Sequence, residues 1–531
     1  MSYRSDAEAM RDALSRTPNW SRARGALDDT TLEQVLTEAA KVAESVVAPL
    51  DLPADRLGTA FEAGHVRVPE AYHPAYDALA EGGWMGLEVA EDFGGTGMPL
   101  ALYAATGPLF DRACPAFNMA VVSTRSAALL LSDWASPEIR DDWVPALASG
   151  ERCATICISE PGAGSDVGRI RTRAEPQGDG TWTVSGQKIW ISFGDHDLRQ
   201  RIGHCLLART GDAPGTRGLS LFLVERGPGV TCERIEEKMG LHGSPTCALR
   251  FDDAPARLIG EEGRGLPQLF SMIRHMRLSV ACQGLGTALK CYDVAETHAR
   301  DRRQGGNPKE PPVAIIEHAD VRRQLIEMKS AIDLYRLALL ETACAADLSA
   351  GDEELARLTA WLLPLIKNFG AELAFDTAAK AILVLGGAGF TKDYTLEQSF
   401  RDSRVFAIYE GTTGMQAQDF FLRQTLGDGG RALGAFLSRA RAECAAHPAA
   451  LAVIEGFADF VARAAAEPDR ERQTWMADGV FRAGWVAVQA WLSVRIAGTP
   501  EAAHFLASAP AQLAFHIAKA EAPVAGVPGA A

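Results

Sequence analysis

The chain has 531 residues, a net charge of −15, a pI near 5.3, and 47% hydrophobic and 23% charged residues. That length suits two to four domains around a sizeable core. The acidic balance argues against nucleic acid or an anionic membrane as the main partner, leaving room for a local basic pocket that holds an anion.

The first twenty residues, "MSYRSDAEAMRDALSRTPNW", carry no apolar core of the signal type, and no uninterrupted apolar run reaches membrane-spanning length. The expectation is a cytoplasmic protein. Residues 30–150 read as a helical domain. "DDTTLEQVLTEAAKVAESVVAPL" has Asp and Thr as cap candidates, helical apolar spacing and Pro49 as a stop. "EAYHPAYDALAEGGWMGL" and "TRSAALLLSDWASPEIRDDWVPALASG" follow the same period, with the glycine loop "EDFGGTGMP" between them.

Residues 151–264 change texture. "TWTVSGQKIWIS", "HCLLART", "LSLFLVER", "GVTCERI" and "TCALRFDD" are short β-prone runs separated by turn residues, the pattern of a barrel or sandwich. Residues 265–427 return to long apolar-faced helical runs with short breaks, the pattern of an antiparallel bundle. Residues 428–531 read as a helical extension whose end, "APVAGVPGAA", frays. The fold class is α+β multidomain: N-terminal helical domain, central β-barrel or sandwich, C-terminal four-helix bundle and extension. Ten cysteines are scattered without a CxxC pair, so they read as reduced core thiols; no metal site is expected.

Five stretches invite chemistry. "ICISEPGAGSD" (156–166) enters a Gly/Ser loop, but its spacing is not GxGxxG and no helical pattern follows, so the dinucleotide reading fails. By residue chemistry alone it is a turn. Trp190 in "GQKIWIS" is either a core aromatic or a wall against a planar cofactor. Arg300, Arg302 and Arg303 in "HARDRRQGG" are either a solvated helix end or a diphosphate clamp. "VLGGAGFTKDY" (384–394) holds a helix C-cap glycine and further glycines that let backbone donors approach a ligand. In "RVFAIYEGTTGMQ" (404–416) a single acid, Glu410, follows an apolar run; outside any motif it would read as an ion-pair partner of Arg401 or Arg404.

Taken in order, "SEPGAGSD", "GQKIWIS", "EKMGLHGSPTCALRF", "LGGAGF", "FRDSRV" and "IYEGTTGMQ" resemble the flavin-dependent acyl-CoA dehydrogenases, over roughly residues 75 to 425. "EGGWMGLEVAEDFGGTGMP", "GDHDL" and the extension look most like the larger subgroup containing 3-methylmercaptopropionyl-CoA dehydrogenases. The resemblance implies FAD between the β domain and the bundle. The loop from Ile156 through Ser159 and Gly164 to Ser165 would cradle its ring, and Trp190, Ile191 and Ser192 would line it. Arg302 would hold the diphosphate of a partner subunit's flavin, with Gly386 and Gly387 nearby. Thr412 and Gly414 would touch the flavin from the bundle. Ser165 and Arg277 would lie along the acyl-CoA.

Glu410 would then be the base that takes the α-proton while the β-hydrogen leaves as hydride to the flavin. Gly411 would let the thioester approach. A dry site favours such a base, because water hydrates the carboxylate and weakens it. Relatives that carry the base on another helix place it just before the arginine matching Arg277; here that residue is Met276, so Glu410 has no rival. Two departures stand out: Leu383 replaces a glutamine that reaches the cofactor, and "Gln304-Gly305-Gly306" replaces "QFG". The implied partners are an acyl-CoA, an electron-transfer flavoprotein and further copies of the chain as a homodimer or homotetramer. Alternatives are an oxygen-using oxidase, a dehydrogenase of a carrier-protein-bound thioester, and a non-catalytic binding or assembly homologue.

Overall fold

A computed structural model describes residues 2–178 and 180–522; residues 523–531, most of the tail read as frayed, lie outside them. Contacts divide the chain into two compact units, Glu38–Ser279 and Met1–Thr37 with Val280–Ala531.

In the first unit the β-prone runs form strands. After a small hairpin, β1 (Ala60–Glu62) and β2 (His65–Arg67), come β3 (Cys153–Cys157), β4 (Arg173–Pro176), β5 (Trp182–Ser192), β6 (Ile202–Arg209), β7 (Leu219–Glu225), β8 (Val230–Ile235) and β9 (Thr246–Ile259). The larger sheet runs β3-β6-β4-β5-β9-β7, and β6 also pairs with β7. That pairing closes β6-β4-β5-β9-β7 into a barrel, with β3 and β8 attached outside the ring. The closure is narrowest between β4 and β6, which share one residue pair, Arg173 with Arg209. Phe222, Phe251, Leu206 and Val224 fill one apolar core. On the other side, Leu207, Leu221 and Ile259 pack with Leu131 and Trp143 of the helices Pro115–Trp134 and Pro137–Ala148, and with Met272 of the helix Gly265–Asp301.

One expectation fails in this unit. Pro49 does not end the first helix: Asp29–Val42 continues through a π turn, Ala43–Val47, and a 3-10 turn, Ala48–Leu50, into Asp51–Leu57. Proline is tolerated at the start of such a turn, where its missing N–H is not needed. The hairpin β1–β2 lies within the region read as helical. Its turn residues Ala63 and Gly64 have φ of 50° and 81°, the left-handed pair that a two-residue hairpin turn needs. Asp195 and Asp197 of "GDHDL" accept the N–H groups of Val66 and Val68, each at 3.1 Å, and so anchor this hairpin.

In the second unit, Ala319–Leu348 and Glu353–Leu385 pack with the later part of Gly265–Asp301. A Cβ on Gly284 would clash with Gly370 O, so the two backbones approach closely there, and a Cβ on Gly370 would clash with the Tyr335 hydroxyl. The stretch Glu353–Phe390 is long and apolar enough, by length and composition only, for a membrane span. It buries Lys367 and Asn368 within the bundle. The extension is part of this unit. Trp361 lies 4.5 Å from the ring of Phe436 and 4.7 Å from Phe420. Arg495 is buried between Glu341 and Glu443, at 2.8 and 2.9 Å. The helix Tyr3–Ser15, not read as a separate element, joins the same unit, and Asn19 donates to Glu341 at 3.3 Å.

Candidate active site

The unit Glu38–Ser279 presents the loop that leaves β3. Ile189 N–H donates to Ser159 O at 2.9 Å, tying the loop to β5. The Lys188 ammonium, fully buried, donates to Ile158 O at 3.0 Å and to Glu160 Oε1 at 2.8 Å. Glu160 also accepts the N–H groups of Arg171 and Thr172 at 2.7 and 3.1 Å. Burial pushes the Glu160 carboxyl up, but Lys188 and these donors outweigh it and hold it below its ordinary range. Glu160 and Ala163 exchange backbone hydrogen bonds, so the loop is a pinned turn; a single 3-10 turn, Val167–Arg169, follows it, and not an α-helix. Gly164 and Ser165 at its tip are exposed.

Beside that loop, Trp190 is 60% exposed and has φ of +61°. The β5–β9 register shifts between Lys188 and Ile191, and this bulge turns the indole out of the inward alternation. A left-handed tryptophan costs about 1–2 kcal/mol. Trp190 is therefore not a core aromatic. Ile191, expected to line a ring, has its side chain buried in the barrel core, so what it offers a ring is its backbone. Ile156 is half-buried against the helical side and Ser192 is half-buried at the end of β5.

Arg277 is half-buried on Gly265–Asp301. Its neighbours fix that part of the helix. His275 Nε2 lies 3.1 Å from Glu88 Oε1, its Nδ1 lies 2.7 Å from Ser126 Oγ, and Tyr103 Oη donates to Ser279 Oγ at 2.7 Å. Burial raises the Glu88 carboxyl, yet Arg125 and His275 bring it down to about 2. Ser126 Oγ also donates to Val122 O at 2.8 Å inside its own helix and is wholly buried, which makes this a packing network. No spacing in the sequence announced it.

In the second unit, Glu410 sits half-buried between the 3-10 turn Arg404–Ala407 and the helix Thr413–Gln418. Its φ is +51° and that of Gly411 is +100°. A side chain on Gly411 would be strained at that φ, and its Cβ, 2.6 Å from Gln416 Nε2, would push the Gln416 amide aside. Gln416 Nε2 donates to Glu410 O at 2.8 Å, and Lys367 Nζ donates to Gly411 O at 2.7 Å. Tyr409 Oη donates to Gln283. Arg401 binds Glu397 at 2.7 Å, and Arg404 lies over the Phe375 ring at 5.0 Å. Thr412 and Gly414 are exposed on the next turn.

Arg302 is exposed just past the helix end Asp301 and donates to Gln304 Oε1 at 3.3 Å. Arg300 is paired with Glu296 at 2.7 Å. Gly386, with φ of +61°, caps Glu353–Leu385; Cβ positions at Gly386 and Gly387 meet open space. Leu383, one turn earlier, is 70% exposed. Tyr394 meets His298 edge-on at 5.9 Å, one turn before Arg302. This unit thus brings Glu410, Gly411, Thr412 and Gly414 together in one loop. The other unit gathers Ser159, Gly164, Ser165, Trp190 and Ser192. Lys188, Glu160, Lys367 and Gln416 support these loops and were not singled out, although all except Lys367 stand inside the quoted motifs.

Three family models match in order: acyl-CoA dehydrogenase N-terminal domain over residues 29–151, middle domain over 155–254 and C-terminal domain over 263–421. A 3-methylmercaptopropionyl-CoA dehydrogenase of Ruegeria pomeroyi is 35% identical over 81% of this chain and 78% of its own. A broad-specificity linear acyl-CoA dehydrogenase, FadE5, of Mycobacterium tuberculosis is 35% identical over 77% of this chain and 72% of its own. Among solved structures, ACDH-11 of Caenorhabditis elegans, in complex with C11-CoA, has a TM-score of 0.80 at 19% identity, covering 94% of this chain and 90% of its own. That likeness concerns the fold alone, and it leaves so little of the chain out that it takes in the C-terminal helices.

Proposed function

The chain belongs to the acyl-CoA dehydrogenase family, whose cofactor is FAD, and from that premise we propose that it desaturates an acyl-CoA thioester between Cα and Cβ with Glu410 as base. The observation that carries this reading is the left-handed Glu410–Gly411 pair, held at both carbonyls inside "IYEGTTG".

The residues present suit the cofactor. An exposed indole beside a pinned loop whose Gly164 and Ser165 are exposed offers a flat apolar surface next to accessible backbone, as a planar ring with a polar edge requires. Ser159, Gly164, Ser165, Trp190 and Ser192, with the Ile191 backbone, would hold the ring. Arg302 would hold the diphosphate, and the open Gly386–Gly387 backbone would approach it. Leu383 supplies no side-chain hydrogen bond there, so affinity rests on the remaining contacts. Bound FAD supplies the acceptor for the β-hydride.

Glu410 takes the α-proton as the Cα–Cβ double bond forms, so the substrate loses one proton and one hydride. The α-proton of a thioester is weakly acidic, and the negative charge that develops on the carbonyl oxygen needs donors. The Glu410 backbone N–H is the donor on this chain, and losing such a donor costs about 3 kcal/mol, on the order of a hundredfold in rate. Arg277 and Ser165 would lie along the acyl-CoA. The electrons then pass to an electron-transfer flavoprotein.

The test is anaerobic bleaching of the purified yellow protein by a panel of saturated acyl-CoAs. Glu410→Gln should keep its flavin and lose bleaching. Retained bleaching removes Glu410 from the chemistry; peroxide formed in air by the wild type would favour the oxidase reading.

A further inference from the structure

We propose that Lys367 and Gln416 are positioning residues that set the direction of the Glu410 carboxylate and of its backbone N–H. The inference rests on the reading of Glu410 as base. Lys367 is wholly buried, on the long helix Glu353–Leu385, and its Nζ donates to Gly411 O at 2.7 Å. Gln416 is also wholly buried, on the helix Thr413–Gln418, and its Nε2 donates to Glu410 O at 2.8 Å. The two side chains therefore grip successive carbonyls of the same loop from two different helices.

On the other side of Glu410 the chain is held again. Tyr409 N–H donates to Val405 O at 3.1 Å, and the Tyr409 hydroxyl donates to Gln283 on a third helix. The plane that follows Glu410 is held through its own carbonyl and the next one through Gly411 O, while Tyr409 is anchored on the preceding side, so the backbone around Glu410 has little freedom to rotate. Its φ of +51° is one that a glutamate leaves when nothing restrains it. Relaxation to the ordinary helical or extended basin would swing both the carboxylate and the N–H away from one shared target. A buried lysine is also a costly choice for a purely packing position, where an apolar side chain of similar length would serve. The geometry instead gives its ammonium a main-chain carbonyl next to the base.

The test uses the FAD-loaded enzyme with the best acyl-CoA from the panel, and follows the rate of anaerobic bleaching, the apparent substrate affinity, flavin content and melting temperature. Lys367→Met should lower the bleaching rate by about a hundredfold, the scale of a misplaced reacting group. Flavin content and substrate affinity should stay near the wild-type values. Substrate deuterated at Cα should slow the variant's bleaching by the full primary isotope effect. Lys367→Arg, which restores a donor, should recover much of the rate. Gln416→Leu acts on the other carbonyl, so it carries the same test if Lys367→Met fails to hold its flavin. Bleaching at wild-type rates in flavin-loaded Lys367→Met or Gln416→Leu overturns the proposal. If Glu410→Gln still bleaches, it is the assignment of the base that falls; if Glu410→Gln is inert while either flavin-loaded clamp variant runs at full speed, only the positioning role falls.

Discussion

Lys188 Nζ and Glu160 Oε1 lie 2.8 Å apart, with 0% and 7% of their side chains exposed. The pair joins β5 to the loop after β3, and so couples the backbone around Trp190 to that around Ser159. Lys188→Met leaves Glu160 as a buried carboxylate without its cation. The expected loss is about 3–5 kcal/mol, read from denaturant midpoints of the purified protein. Lys188→Met with Glu160→Gln should recover part of it. A single-variant loss under about 1 kcal/mol would mean that water reaches the pair and that the loop is held by its backbone bonds.

Trp190 makes a two-sided prediction. Glycine accepts its φ of +61° without strain, so Trp190→Gly should stabilise the flavin-stripped protein or leave it level despite the lost side chain. The same variant should bind FAD about tenfold more weakly, the worth of an aromatic contact. Thermal melts of the stripped protein and flavin titration separate the two effects. Unchanged flavin affinity would remove Trp190 from the cofactor surface.

The extension should prove inseparable from the bundle. Trp361 is wholly buried against Phe436 and Phe420, so Trp361→Ala should cost about 3–5 kcal/mol. Ending the chain before Arg431 exposes the same apolar face, and such a truncation should accumulate as insoluble protein. A soluble, flavin-binding truncation would contradict this.

Asp111 gives a pH dependence. Burial pushes its carboxyl from 3.8 up to about 8, against the pull of the Asn118 amide and Arg125. Above 3.8 the unfolded chain releases this proton while the folded chain keeps it. Stability contributed here therefore falls as pH rises from 3.8 to about 8, and the full penalty stands above that. Asp111→Asn removes the titration. Its melting temperature should gain on that of the wild type steadily across this window. A gap independent of pH would show that the carboxyl ionises normally.

Much of this molecule is legible in its sequence. Periodicity located the long helices, and the alternation in "TWTVSGQKIWIS" located β5, because burial on one side imposes a period of two or of 3.6. The pairing of Ala63-Gly64 in a hairpin turn was missed because an alanine there gives no turn signal. Pro49 misled because its cost depends on which turn of a helix it occupies. The ordered motifs were enough to single out Glu410, Trp190 and the glycine loops, since each motif is local in the chain.

The sequence by itself determined which residue types stand at each loop, and through them the family and its cofactor. Only the tertiary structure decided how those loops are held. The barrel closes through one β4–β6 pair, Ile191 turns inward while Trp190 turns out, and Lys367 reaches Gly411 from a helix far away in the chain. The physical reason is that a backbone conformation strained on its own, such as the left-handed Glu410, persists only where distant buried donors meet its carbonyls, and no window of sequence contains both partners.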